Sequence, residues 1–282
     1  MKTILVPTDF SENAYSALVY AAKLFEDELS CFIILNSFED QAFKLASPVY
    51  IGKSEELMNG LLRASEEECL SVKQKLVNDL KSTKHSFKII ATSLLLTRAI
   101  NELIVKEKVD FVVMGSKGKT AAENLFIGSN SFKVAENIKD APLLIIPDKL
   151  EYKLPKKLGF ASGFKRSYSN KQLKPLKEIS KLFQAKTQVI YVFEEEKLRD
   201  AQLENLQILL KSSKSEDFKL QWLPETESKA DTIMEYVYKE QLDMLAICYY
   251  QHNFISNLFR ENVVKEITHT IRTPLLILPS GD

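Results

Sequence analysis

The chain has 282 residues, 45% of them apolar, 10% aromatic and 27% charged, and its 38 basic and 38 acidic side chains cancel. That profile suits a globular protein with enough material for two domains. A net charge of zero, with Lys+Arg against Asp+Glu at 18 to 20 in residues 1–150 and 20 to 18 in the rest, argues against a broad nucleic-acid surface.

The first predicted element is a strand over residues 2–7 (Lys-Thr-Ile-Leu-Val-Pro), closed by Thr8-Asp9-Phe10-Ser11. This opening is too short and too soon acidic for a signal peptide. Ala14, Ala17, Leu18, Ala21, Ala22 and Phe25 then fall on one face of a helix. Ser11 is its expected N-cap, which would leave Asp9 free to face a ligand. Cys31–Leu35 reads as a second strand ending at Asn36-Ser37. Residues 38–53 read as irregular and contain Pro48. Gly52-Lys53-Ser54 is not a phosphate loop, because Ser47 stands where such a loop needs its first glycine. Ser54 instead caps a long helix reaching Leu80, with Leu61, Leu62, Cys69, Val72 and Leu76 roughly at helical spacing.

Val109–Met114 is apolar and β-favouring, and reads as a buried strand. It runs into Gly115-Ser-Lys-Gly118, and Gly128-Ser129 follows; three of the eight glycines of the chain lie in this short stretch. Ser129, Asn130 and Ser131 then open a helix. A buried strand, a glycine loop and a helix N-terminus together can hold an anion, because bare backbone approaches a phosphate closely and unpaired amides point at it. Lys117 and Lys119 add positive charge. Pro142–Pro147 is a short, proline-bounded last strand.

The chain then repeats itself. Ile100-x-Glu102-x3-Lys106-Glu107-x-Val109-Asp110 recurs as Ile233-x-Glu235-x3-Lys239-Glu240-x-Leu242-Asp243, and Pro142–Pro147 recurs as Pro274–Pro279. A repeat of this length predicts a duplicated domain, 1–149 and 150–282, with the boundary in the polar stretch Asp148–Pro155. Residues 156–160 and 187–193 are strands of the second copy, and 194–213 is a shorter counterpart of the long helix. Alternation of strand and helix predicts an α/β fold: two tandem doubly wound, five-stranded parallel-sheet domains with right-handed crossovers. In such sheets ligands sit beyond the C-terminal strand ends, where Pro7-Thr8-Asp9, Asn36-Ser37 and Gly115 would meet.

Other residues give bland readings. His85, His252 and His269 have no metal spacing, and no GxSxG serine motif occurs. Cys31, Cys69 and Cys248 are far apart and lack a CxxC, which predicts reduced thiols in a cytoplasmic protein. No apolar run approaches a membrane span. Trp222 is expected in the sheet, Tyr249-Tyr250 at a sheet end, and Glu194–Glu196 in a solvated segment.

Gly115-x2-Gly118-x9-Gly128-Ser129, with the opening Val6-Pro7-Thr8-Asp9-Phe10-Ser11, resembles the universal stress proteins in their tandem form, and the glycine pattern resembles their ATP-binding branch. The resemblance implies an adenine nucleotide alpha hydrolase-like fold. It places Pro7, Thr8, Asp9 and Ser37 against the adenosine, Met114 beside the base, and Gly115, Gly118, Gly128, Ser129, Asn130 and Ser131 around ribose and phosphates. It also implies ATP as ligand, with Mg2+ or Mn2+ accompanying the phosphates, and pairing of the two last strands into a pseudo-dimer. The second copy departs from the pattern: Gly163 stands at the position of Asp9, and Cys248, Gln251 and Glu261 stand at the three glycines. It is not expected to bind ATP in this manner. The implied role is a cytoplasmic stress-response regulatory or interaction module with an unidentified protein partner and the option of homodimerisation. A slow ATPase or autophosphorylating enzyme, and a nucleotide-free carrier of another small ligand, are the alternatives.

Overall fold

Short runs rich in Ile, Val, Leu and Phe become the buried strands, and strands and helices largely alternate along the chain. The computed structural model describes residues 1–45, 54–80, 84–119, 127–193, 197–212, 218–248 and 273–279. The chain divides into two compact units, one of Met1–Ala121 with Ile127–Lys149 and a second from Leu150 onward.

The first unit comprises β1 (Lys2–Pro7), α1 (Glu12–Leu24), β2 (Ser30–Ser37), α2 (Glu39–Leu45), α3 (Ser54–Leu80), β3 (His85–Thr92), α4 (Leu96–Glu107), β4 (Phe111–Gly115), α5 (Ser129–Asn137) and β5 (Leu143–Ile146). Its strands are parallel in the order β3-β2-β1-β4-β5. Ile4, Leu5, Phe32–Leu35, Phe111–Val113 and Leu143–Ile146 are buried, as expected of a sheet with helices on both faces. The direction of winding reverses between β1 and β4, so their C-terminal ends, Pro7 and Gly115, flank the switch point.

The second unit comprises β6 (Lys157–Ala161), α6 (Asn170–Phe183), β7 (Lys186–Phe193), α7 (Asp200–Ser212), β8 (Phe218–Pro224), α8 (Lys229–Lys239), β9 (Met244–Cys248) and β10 (Leu275–Leu278). Its strands are parallel in the equivalent order β10-β9-β6-β7-β8. Trp222 lies in β8, in register with Tyr191.

The repeat persists at the level of single bonds. Lys108, which caps α4, and Gln241, just past the cap of α8, both lie in the left-handed region, at φ 53°. Asp110 and Asp243 then each accept a bond from the start of the first strand of their own unit: Thr3 N to Asp110 Oδ2 and Lys157 N to Asp243 Oδ2, both 2.9 Å. The loops after β1 and β6 match as well. Phe10 N donates to Thr8 Oγ1 and Phe164 N to Ser162 Oγ, both at 3.0 Å, with Phe10 and Phe164 at φ 62° and 51°. This match fixes the correspondence of Asp9 with Gly163.

One expectation about the order of elements fails within the described residues. The stretch from 38 onward is not wholly irregular, because Glu39–Leu45 forms α2. Glu39 and Asp40 in its first turn and Lys44 in its last complement the helix dipole, but two turns are too short to show an apolar period. Pro48 and Gly52-Lys53 lie outside the described residues, as do Glu194–Glu196, Tyr249-Tyr250, Gln251, His252, Glu261 and His269. No described helix is long and apolar enough to cross a membrane.

Candidate functional site

The C-terminal edge of the first sheet gathers the ends of β1, β2 and β4 with the starts of α1, α4 and α5. Pro7 ends β1, and Thr8 continues it with a bond from its N–H to the Leu35 carbonyl at 2.8 Å. Asn36 at the end of β2 donates through Nδ2 to the Thr8 carbonyl at 2.7 Å, and its Oδ1 accepts from Ser65 Oγ at 2.7 Å. The polar Asn36–Ser65 pair is buried and fixes the turn after β1. Ser37 beside it is half-buried, and its hydroxyl donates to the Leu94 carbonyl at 2.7 Å. Met114, 6% exposed, precedes Gly115 in β4.

The glycine loop is held from the β1–α1 segment by two side chains. Asn13, in the first turn of α1, accepts from Lys117 N at 2.8 Å. Its Nδ2 faces the Ile146 carbonyl at 3.4 Å. A Cβ on Gly115 would stand 2.5 Å from Asn13 Oδ1 and 2.9 Å from its carbonyl oxygen, so glycine is required here for α1 to close on β4. Asp9 is the second tether. Ser11 caps α1 as expected, accepting from Ala14 N at 3.2 Å, but Asp9 is not thereby left free. Its Oδ1 accepts from Ser11 N at 3.1 Å and its Oδ2 from Lys119 N at 2.7 Å. A carboxylate close to open backbone amides takes them as acceptors. A Cβ at Gly118 would stand 2.5 Å from Asp9 Oδ2, so a side chain there displaces the end of the Asp9 tether rather than the backbone.

Gly128 is different. Its φ of −71° and ψ of 161° suit any residue, and an added Cβ would meet only ordinary contacts at 3.6 Å, with Gly118 N, Lys117 Cα and Ser116 O. The fold itself therefore does not demand glycine. The position is the N-cap of α5, where a Ser or Asp side chain would ordinarily cover the first amides, and among the described residues no side chain caps them. The neighbouring helix starts are closed: Ser11 caps α1, and Glu39 Oε2 accepts from Leu96 N at 2.9 Å to close α4. Ser129 and Asn130 are exposed. Ser131 is 3% exposed and donates to the Gly115 carbonyl at 2.9 Å, so its hydroxyl serves the loop. Gly128 N donates to Ser116 O at 2.7 Å, drawing α5 against the loop. The Gly118 amide finds no acceptor among the described residues. Chemically, this edge offers, among the described residues, amides without an acceptor at Gly118 and at the start of α5, with two lysines nearby (Lys119 Nζ lies 5.4 Å from the Phe10 ring centroid).

Asn13 and Ser65 did not emerge from the sequence, and Asn36 emerged only as a strand end at this edge, without its bonds to Thr8 and Ser65. Ser65 carried a signal, a polar residue in the apolar stripe Leu61, Cys69, Val72 and Leu76. Asn13 sits beside the apolar face of α1 without a comparable mark.

The second unit builds the same edge differently. Gly163 provides no carboxylate, and Phe164 is fully buried, with its ring 5.2 Å from that of Tyr191, which meets Trp222 edge-on at 5.1 Å. Gln202 and Asn205 of α7 donate to the Gly163 and Phe164 carbonyls at 2.8 and 3.0 Å.

A doubly wound parallel sheet with a glycine loop at its switch point defines the class of α/β proteins that present a ligand edge at their strand ends. Within that class the family is shown directly: the model of the universal stress protein family matches residues 1–147, and the chain belongs to that family. Universal stress protein MJ0577 of Methanocaldococcus jannaschii is 28% identical over 159 residues, spanning 52% of this chain and 96% of that protein. In fold, the chain is similar to a universal stress protein from Archaeoglobus fulgidus, with TM-score 0.66 at 15% identity, covering 99% and 97% of the two chains. It is also similar to the cytoplasmic domain of a prokaryotic cation chloride cotransporter, with TM-score 0.58 at 10% identity and coverage of 100% and 96%.

Proposed function

We propose that the first unit binds an adenine nucleotide, with ATP as the leading candidate, and that the protein works as a cytoplasmic, ligand-dependent regulatory module of the stress response. Gly128 carries the reading. Its backbone conformation and the described atoms around it leave room for a Cβ, and it stands at the start of a helix that no side chain caps among the described residues. A phosphate resting on α5 and the Gly118 amide supplies the missing reason, since a side chain at 128 would occupy that space.

In this reading phosphate oxygens meet Gly118, Gly128, Ser129 and Asn130, while Gly115 and Ser131 shape the loop from within. Thr8, Pro7, Ser37 and Met114 form the adjoining floor for the nucleoside. Magnesium or manganese would enter with the phosphates. The described residues contain no cluster of three or more His, Cys, Asp or Glu that could hold a metal, and both oxygens of Asp9 already accept amides. The described residues thus offer no built cation site at this edge, and water and phosphate would supply the ligands. A protein partner, and dimerisation of the tandem chain, belong to the same proposal.

Calorimetric titration with ATP tests it. Gly128→Glu, which places bulk and negative charge on the helix start, should abolish binding while the melting temperature stays near that of the wild type. Gly118→Val should abolish binding too, with some loss of stability from its collision with Asp9. Undiminished ATP binding by both variants would refute the assignment.

A further inference from the structure

The glycine loop already holds an anion of its own. Lys117 N and Lys119 N, the amides on either side of Gly118, are taken by side-chain oxygens from the β1–α1 segment, Asn13 Oδ1 at 2.8 Å and Asp9 Oδ2 at 2.7 Å. The two acceptors differ in kind. Asn13 is neutral, buried, packed against Gly115 and turned toward β5 through its other end. Asp9 is half-exposed and charged, and its bond to Lys119 N reaches the exposed rim of the loop. The same carboxylate oxygen lies so close to Gly118 that a Cβ there would be 2.5 Å away, so it sits directly beside the Gly118 amide, which finds no acceptor among the described residues.

We infer that Asp9 is an internal competitor for the glycine loop, a carboxylate latch that occupies the Lys119 amide and must yield before a phosphate can use it. The inference rests on the nucleotide reading of this loop and adds its regulation. A phosphate at Gly118 and α5 would lie within a few ångströms of a negative charge, and like charges at that distance oppose each other. Asp9 therefore lowers the affinity of the loop for polyphosphate. It also makes occupancy of the site visible in the backbone, because Lys119 N changes acceptor. The second unit has no such latch: Gly163 replaces the acid, and α7 pins the carbonyls of that turn instead.

The test uses inorganic tripolyphosphate, which lacks the nucleoside, on the full chain. Asp9→Asn and Asp9→Ala should bind it about fivefold or more tighter than the wild type at low salt. Hydrogen exchange gives an arm that needs no ligand: the Lys119 amide should be protected in the wild type and exchange faster in Asp9→Ala, while Lys117, held by Asn13, stays protected in both. Unchanged or weaker tripolyphosphate binding in both variants would overturn the latch, and so would equal Lys119 exchange with and without the carboxylate. Failure of the nucleotide reading is distinguishable. It appears as ATP binding that Gly128→Glu leaves intact, whatever the exchange at Lys119.

Discussion

Gly115, Gly118 and Gly128 belong to one sequence motif, yet the structure treats them differently. Gly115 lets α1 close on β4, a Cβ at Gly118 would meet only the end of the Asp9 side chain, and a Cβ at Gly128 would meet ordinary contacts among the described residues. This separates stability from binding at single positions. Gly115→Ala drives a Cβ into the side chain and carbonyl of Asn13 and should cost roughly 1–3 kcal/mol, read as a drop in urea midpoint at unchanged slope. A midpoint equal to the wild type would mean that the close approach of α1 to β4 is not required. The spacing of the glycines was plain in the sequence because it is local. The tethers were not: Asn13 to Lys117 and Asp9 to Lys119 link residues more than 100 positions apart. Nor could spacing alone show that the hydroxyl of Ser131 turns inward while Ser129 faces solvent.

Among the elements, the long helix α3 and the apolar strands were legible because their periods run for many residues, and α3 ends where its pattern ends, at Leu80. The two-turn helix α2 offers no such run, and the ends of β3 depend on pairing with β2. β3 lies at the edge of its sheet and begins at His85, whose Nε2 lies 3.1 Å from the Ala22 carbonyl and whose ring meets Phe32 edge-on at 4.9 Å. Burial pushes the imidazole below its ordinary pKa; Lys84 adds to this, while the Ala22 carbonyl and Glu26 pull the other way. The fold thus favours the neutral ring. As pH falls through about 6.5 the unfolded chain takes up the proton first, so stability declines until the lower folded-state pKa is passed and then levels off. Above pH 6.5 the residue contributes no slope. Melting temperatures at pH 7.5 and 5.5 should therefore separate more in the wild type than in His85→Gln. Equal separations would remove His85 from the pH response.

For the molecule as a whole, duplication is written into both sequence and bonds, from Asp110 and Asp243 to the matched turns at Phe10 and Phe164. The copies keep the clasps that hold the sheet and part at the C-terminal strand edge. The first keeps an acid, the glycine loop and a helix start that no described side chain caps. The second buries Phe164 against Tyr191 and pins the turn with Gln202 and Asn205. The loss of the acid at Gly163 could be read by aligning the halves, whereas the burial of Phe164 depends on β7 and α7, which no alignment of the repeat supplies. The asymmetry predicts one nucleotide site per chain. Native mass spectrometry of the protein saturated with ATP measures this directly: one nucleotide per chain in the wild type and none in Gly128→Glu. Two nucleotides per chain, or one retained by Gly128→Glu, would contradict the account.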